Sequence, residues 1–248
     1  ICKIETSPSI YHLGYILGPR INAGGRVGKC SHGANLLLNS NPKEVFKLAT
    51  ELDQYNKERK MLEKDLIEKI LIESKNKLKD PVLILQGEHW HEGIIGIVAS
   101  RLKDKFNKPA IIISLNGNIG KASARSIVGF DIGSAIIAAT QEKILIKGGG
   151  HKMAGGFSIN TSNIEKFKKF IFRKFKNINE DLTQQKPLLL DSKIAPSAIN
   201  LEFYDKINVL SPFGSGNPEP RFIIENLKSA NSKIVGDKHI KSVLIGTE

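Results

Sequence analysis

The sequence predicts an α/β fold: a sheet covered by helices, reached through one long helix and followed by a small β barrel. Three observations carry this prediction. Between residues 81 and 176, short near-continuous apolar runs alternate with segments of helical period. Ahead of them, residues 41–80 keep an apolar three-four spacing without a break. Beyond residue 187 the apolar runs shorten and Gly/Pro turns multiply, the pattern of a small barrel.

The stretch Gly18-Pro19-Arg20-Ile21-Asn22-Ala23-Gly24-Gly25-Arg26-Val27-Gly28 reads as a Gly-rich loop. Its arginines suit bidentate phosphate recognition, and its glycines let a phosphate approach. Surface arginines on an ordinary loop are the plainer reading. Residues 31–39 predict a short helix with Ala34, Leu37 and Leu38 along one side. Asn41 then offers an N-cap, Pro42 suits the first helical position, and Glu44 completes a capping-box spacing. The inward stripe of that helix is Val45, Leu48, Ala49, Leu52, Tyr55, Leu62, Leu66 and Ile70, and it stops at Asp80-Pro81. Unbroken, it would run about 57 Å, enough to bridge two domains. Lys57, Arg59, Lys60 and Lys64 are expected on its solvated face.

After Pro81 the period changes. Strands are expected at 82–86, 110–114, 119–126 and 157–159, with helices at 94–105 and, capped by Asp131, through about Ala139. A further helix opens with Ser162 and Glu165 and buries Ile164, Phe167, Phe170 and Ile171. Between them, Gly148-Gly149-Gly150-His151-Lys152-Met153-Ala154-Gly155-Gly156 reads as a tight turn whose free N–H groups favour an anion. Residues 177–186 read as a linker. The last part offers a strand at 188–190, a helix around 198–206, a loop at 211–220, and strands at 222–224 and 242–245.

Composition narrows the function. The 248 residues carry 37 Lys and Arg against 25 Asp and Glu, a formal charge of +12. This balance favours a polyanionic partner, nucleic acid first. Two cysteines, Cys2 and Cys30, make neither a disulfide framework nor a zinc set, which suits a reducing compartment. No apolar run reaches a membrane span. The first residue, Ile1, and the apolar run near the last lead to the expectation of a piece of a longer chain.

Two constellations could bind phosphate. Lys121, Ser123 and Arg125 would share one face of a strand, placing a cation, a hydroxyl and a guanidinium in a row. His89-Trp90-His91-Glu92 has no third metal ligand nearby and no HExxH. His91 instead precedes a helix N-terminus, where backbone donors attract phosphate, or it is simply bonded to backbone. No pair of metal-binding carboxylates is visible.

Five stretches, in order, resemble the RecJ family of single-stranded-DNA 5′–3′ exonucleases, a branch of the DHH phosphoesterases. They are Leu17 through Arg26, Trp90 through Leu102, Gly120 through Ser126, Gly148 through Gly156, and Pro212 through Pro220. Gly24 and Gly155 depart from the family, where alanine is frequent. The resemblance implies the end of a DHH catalytic domain at 1–40, a connecting helix at 41–80, a DHH-associated domain with a mixed sheet at 81–176, and a partial OB-fold barrel at 187–248. Mn²⁺ or Mg²⁺ would be bound by an N-terminal part not present here, so the chain alone would bind DNA and hydrolyse nothing.

The resemblance also assigns roles. Ser123 and Arg125 would hold the 5′ phosphate with Arg26. His151 would face the phosphate as the catalytic residue, and Arg20, His91, Lys121, Gly149, Gly150 and Lys152 would line the cleft. The partner would be single-stranded DNA, with other repair proteins, for a cytoplasmic monomer without membrane contact. Two alternatives stay open. One is a DHH phosphodiesterase for short oligonucleotides or cyclic dinucleotides. The other is a nucleic-acid-binding module without hydrolysis, since the Gly-Gly-Gly-His stretch also resembles the associated domain of alanyl-tRNA synthetases.

Overall fold

The computed structural model describes residues 1–5, 7–73, 76–176, 188–236 and 239–246. It divides into two compact units, Ile1–Ser7 with His12–Gln185, and Pro8–Tyr11 with Lys186–Glu248. The expected linker at 177–186 lies outside the described residues.

The first unit opens with a π-helical turn, His12–Leu17, and two single-turn helices, α1 (Gly18–Ile21) and α2 (Gly24–Val27). The expected Gly-rich loop is therefore helical. Its carbonyls find partners three or four residues on, as in Asn22 N–H to Gly18 O and Val27 N–H to Ala23 O. Helix α3 (Ser31–Leu38) turns His32 and Gly33 inward, with Gly33 against the Ile21 carbonyl. Leu37 and Leu38 are 70% and 82% exposed, so the expected apolar side is not the packed one.

Helix α4 spans Pro42–Glu73, about 48 Å rather than 57 Å. The expected continuation to Asp80 fails, because Lys77–Lys79 is a separate 3-10 turn. Asn41 Oδ1 accepts from the Lys43 N–H, as an N-cap should. The capping box is not completed: Asn39 Oδ1 takes the Asn41 N–H that Glu44 was expected to reach. The buried stripe is Leu52, Asn56, Arg59, Glu63, Leu66 and Ile70, alternating four and three. Arg59, expected in solvent, is buried. It donates to Glu63 Oε2 at 2.7 Å and to Asn56 Oδ1, while Arg101 reaches Glu63 Oε1 at 3.0 Å.

The sheet follows: β1 (Leu83–Glu88), α5 (Glu92–Phe106), β2 (Ala110–Asn116), β3 (Ile119–Arg125), α6 (Ile132–Gln141), β4 (Lys147–His151), β5 (Ala154–Asn160) and α7 (Ile164–Lys176). Strand order is β1-β2-β3-β5-β4, with β1 parallel to β2 and the other pairs antiparallel, a mixed sheet. Alternation sorts its residues onto two faces. Ile84, Ile111, Ile113, Phe157 and Ile159 pack with α6 and α7. Leu83, Leu85, Ala110 and Ile112 pack with α5 and with Leu66 and Ile70 of α4. Each of these buried Leu, Ile and Phe side chains contributes about 1.5–3 kcal/mol.

The Gly-rich stretch departs from the expected tight turn. It is a β-hairpin, not a loop of free N–H groups, and only Lys152 and Met153 turn. Phe157 and Ile159 bury on one face and pull β5 into pairing, so the backbone forms a ladder instead of a nest.

In the second unit, residues 188–190 are not a strand; Leu188 and Leu189 are exposed. Pairing is made instead by β6 (Ser192–Lys193) with β7 (Phe222–Ile223). The expected helix begins late, as α8 (Leu201–Asn208), with Asn200 accepting from the Phe203 N–H. Strand β8 (Leu227–Val235) was not anticipated, because polar residues and a register shift between Ala230 and Lys233 interrupt its apolar pattern. It pairs with β9 (His239–Gly246). The described residues of this unit form two two-stranded sheets rather than a closed barrel.

Candidate functional site

The register of β3, β5 and β4 lays out the site in rows. Arg125 pairs with Ala154, which pairs with His151. Ser123 pairs with Gly156 and Gly156 with Gly149; Lys121 pairs with Ser158 and Ser158 with Lys147. Directly opposed residues of antiparallel strands project to one face. All nine therefore share the face that carries α5. Beyond α5 that face is open, and a groove of about 570 Å³ runs over it, lined by Glu92, Lys121, Ser123, Lys147, Gly149, Gly156 and Ser158 among others.

The glycines divide by the same parity. Gly149 and Gly156 floor the groove; nothing stands within 4 Å of a Cβ built at Gly149. Gly148 and Gly155 face the other way, where Ile136 of α6 lies 2.7 and 2.5 Å from such a Cβ. Gly150 also lies on that opposite face, where a Cβ would meet the Ala154 carbonyl at 2.4 Å. Gly150 thus shapes the hairpin and does not line the groove.

One row past Ser123, next to the groove, two arginines come near each other against α5. Arg125 Nη1 donates to Ser123 Oγ at 3.1 Å and to its neighbour's carbonyl, Ala124 O. Arg26 Nη1 donates to Gly93 O at 3.3 Å. Gly93 and Gly96 make this possible. They lie three apart, on one face of α5. A Cβ at Gly93 would stand 2.0 Å from the Arg26 carbonyl, and one at Gly96 would meet Ser123 Oγ and Arg125 Nη2 at 3.0 and 3.2 Å. Burial, and then the charge of Arg26, hold the Arg125 guanidinium below the usual arginine range. Among the described residues neither arginine has a carboxylate partner. Two cations held close without a counter-charge favour an anion between them.

The remaining expected residues distribute as follows. Lys121 pairs with Glu92 at 2.9 Å on the groove wall. His151 closes the arginine row, exposed, its Nδ1 accepting from the Met153 N–H at 3.3 Å. Its backbone lies against Gly133 of α6, 2.7–2.8 Å from a Cβ built there. His91 is the N-cap of α5, with Nδ1 accepting from the Gly93 N–H at 3.1 Å, so one ring nitrogen is committed to backbone. His89 sits in the loop after β1 at φ +55°. Lys152 occupies the hairpin turn near Asp131, whose carboxyl is lowered first by the Ser134 N–H and to a lesser degree by Lys152. Arg20 does not join the cluster: it donates to Asp53 Oδ1 at 2.7 Å and to the Ile16 carbonyl. Sequence reasoning missed Gly93, Gly96, Gly156, Lys147 and Ser158. For Lys147, Gly156 and Ser158, the two-residue alternation from Lys147 to Ser158 held that information once the stretch was read as strands.

Known proteins share this arrangement of elements. A family model described as the DHHA1 domain matches residues 79–177, and one described as the RecJ OB domain matches residues 190–247. The chain is 34% identical over 240 residues to the single-stranded-DNA-specific exonuclease RecJ of Escherichia coli strain K12, covering 92% of this chain and 41% of that protein. It is 31% identical over 241 residues to the protein of the same name from Bacillus subtilis strain 168, covering 94% and 30%. Among solved structures, RecJ of Thermus thermophilus in complex with Mn²⁺ is similar with a TM-score of 0.82 at 27% identity, over 95% of this chain and 35% of that one. Its Mg²⁺ complex is similar with a TM-score of 0.81 at 25% identity. The chain spans less than half the length of these relatives.

Proposed function

The chain belongs to the RecJ family, and from that premise we propose that it is the strand-holding portion of a 5′–3′ exonuclease that acts on single-stranded DNA in repair and recombination. The arginine end of the groove receives the 5′ phosphate. Arg125 and Arg26 supply charge, Ser123 a hydroxyl, and the glycines of α5 the room for both arginines. His151, in the same row, faces the phosphate at the open side. The groove then leads the strand away over Gly149 and Gly156.

The observation that carries this reading is the Arg26–Arg125 pair, drawn together with no carboxylate between them among the described residues. Divalent metal accompanies the relatives' structures. Among the described residues no three His, Cys, Asp or Glu side chains gather as a metal site, so the side chains of this groove do not fit such an ion.

The test is binding of 5′-phosphorylated and 5′-hydroxyl DNA oligomers, and of RNA, followed by fluorescence anisotropy. Arg125→Ala is expected to weaken the phosphorylated DNA about tenfold or more and the hydroxyl form much less, since a charge-assisted contact is worth about 1.5–3 kcal/mol. Equal affinity of the parent chain for all three ligands overturns the terminal-phosphate subsite.

A further inference from the structure

The groove does not end with the arginines. We infer that Lys147, with Ser158 and Lys121, forms a second phosphate-contacting row, which holds the DNA strand some nucleotides downstream of its terminal phosphate. This rests on the arginine end being the terminal-phosphate subsite.

The register sets the spacing. From His151 to Lys147 is four residues along β4, about 13 Å at strand rise. A strand whose terminal phosphate sits at Arg125 therefore reaches the lysine row only when it carries further nucleotides; a mononucleotide does not. The row between them offers a hydroxyl and two bare α-carbons, Ser123, Gly156 and Gly149, so the strand can lie down on the backbone.

Charge singles out Lys147 within its row. Lys121 is already matched by Glu92, whereas among the described residues Lys147 has no ion-pair partner. It stands exposed on the edge strand of the sheet, where β4 pairs with β5 alone. Ser158 lies directly opposite it and lines the same groove. An ammonium beside a hydroxyl recognises a phosphodiester as a point charge, without regard to base. The ligand implied is a 5′-phosphorylated single strand of several nucleotides, bound without sequence preference.

The 248-residue chain and its Lys147→Ala, Lys147→Arg and Arg125→Ala variants are titrated with thymidine 5′-monophosphate and with a 5′-phosphorylated thymidine tetranucleotide across a salt series. Lys147→Ala is expected to weaken the tetranucleotide about fivefold while leaving the mononucleotide within about twofold. The slope of log affinity against log salt for the tetranucleotide falls by about 0.7, the share of one phosphate on a single strand. Lys147→Arg restores both. Because Lys147 is exposed, circular dichroism of the variant is expected to match the parent. An equal loss on both ligands, or an unchanged tetranucleotide affinity and slope, overturns the second row. An Arg125→Ala variant that binds both ligands as the parent does strikes the terminal-phosphate reading itself, whatever Lys147 does.

Discussion

Arg125 and Arg26 repel each other in the free chain, and the backbone holds them there all the same. Gly93 is the residue that permits it, because α2 lies so close to α5 that a methyl group would stand 2.0 Å from the Arg26 carbonyl. Gly93→Ala is therefore expected to push α2 away. It should lower the preference for phosphorylated ends, with a loss of about 1–3 kcal/mol in stability by urea denaturation. Gly149→Ala makes the control, since the space above it is open and its stability should stay within about 0.5 kcal/mol. Glycines that look alike along the sequence thus have unrelated physical duties. Gly149 clears a groove, Gly148 and Gly155 admit α6, and Gly93 admits a neighbouring carbonyl.

At the scale of elements, the buried stripe of α4 meets the sheet through Leu66 and Ile70 and meets α5 through a polar patch at Asn56, Arg59 and Glu63, with Arg101 bonded to Glu63. Arg59 and Glu63 are both about nine-tenths buried and bonded to each other. Such a pair adds little net stability over apolar packing, but removing Arg59 leaves the buried Glu63 carboxylate with Arg101 as its one remaining ion-pair partner among the described residues. Arg59→Met is expected to cost about 3 kcal/mol, and Arg59→Met with Glu63→Leu to recover most of it, measured by thermal unfolding. Nearer the start of α4, Asp53 receives Arg20 and Lys57. Burial alone would raise its carboxyl, yet hydrogen bonds from Lys57 and Arg20, together with their charges, hold it below the usual carboxylate range. A lowered carboxyl stabilises the fold fully above about pH 4 and loses that contribution as pH falls through its folded value. Asp53→Asn should accordingly flatten the acid limb of a stability-versus-pH curve.

Over the whole molecule, burial is uneven. The core residues lie between Ala23 and Phe175, and no described residue of 188–246 is buried to the same degree. A two-stranded hairpin such as β8–β9, with Val243, Leu244 and Ile245 more than half exposed, draws little stability from apolar burial. Hydrogen exchange is expected to be fast there and slow in β1 and β2, where both faces are covered. Protection in β8–β9 equal to that of β2 would contradict this. The charge of +12 belongs to the same scale, and it gives any DNA binding a steep decline with salt.

Local patterns in the chain were enough to predict the α/β class, most elements between α3 and α7, and a resemblance to the RecJ family. Apolar periodicity marked every sheet-forming strand of the first unit except β4, and the five motifs pointed to RecJ. Asp131 and Asn41 were legible as caps because a cap is decided by a few adjacent atoms. The inward turn of Arg59, the loss of Arg20 to Asp53, the hairpin in place of a turn, and the meeting of Arg26 with Arg125 were not legible. Each depends on which face of an element finds a neighbour, and residues 99 apart in sequence come together only through strand register and the close packing of α2 on α5. Periodicity names the faces of an element; only the assembled sheet and helices decide which of them stays open.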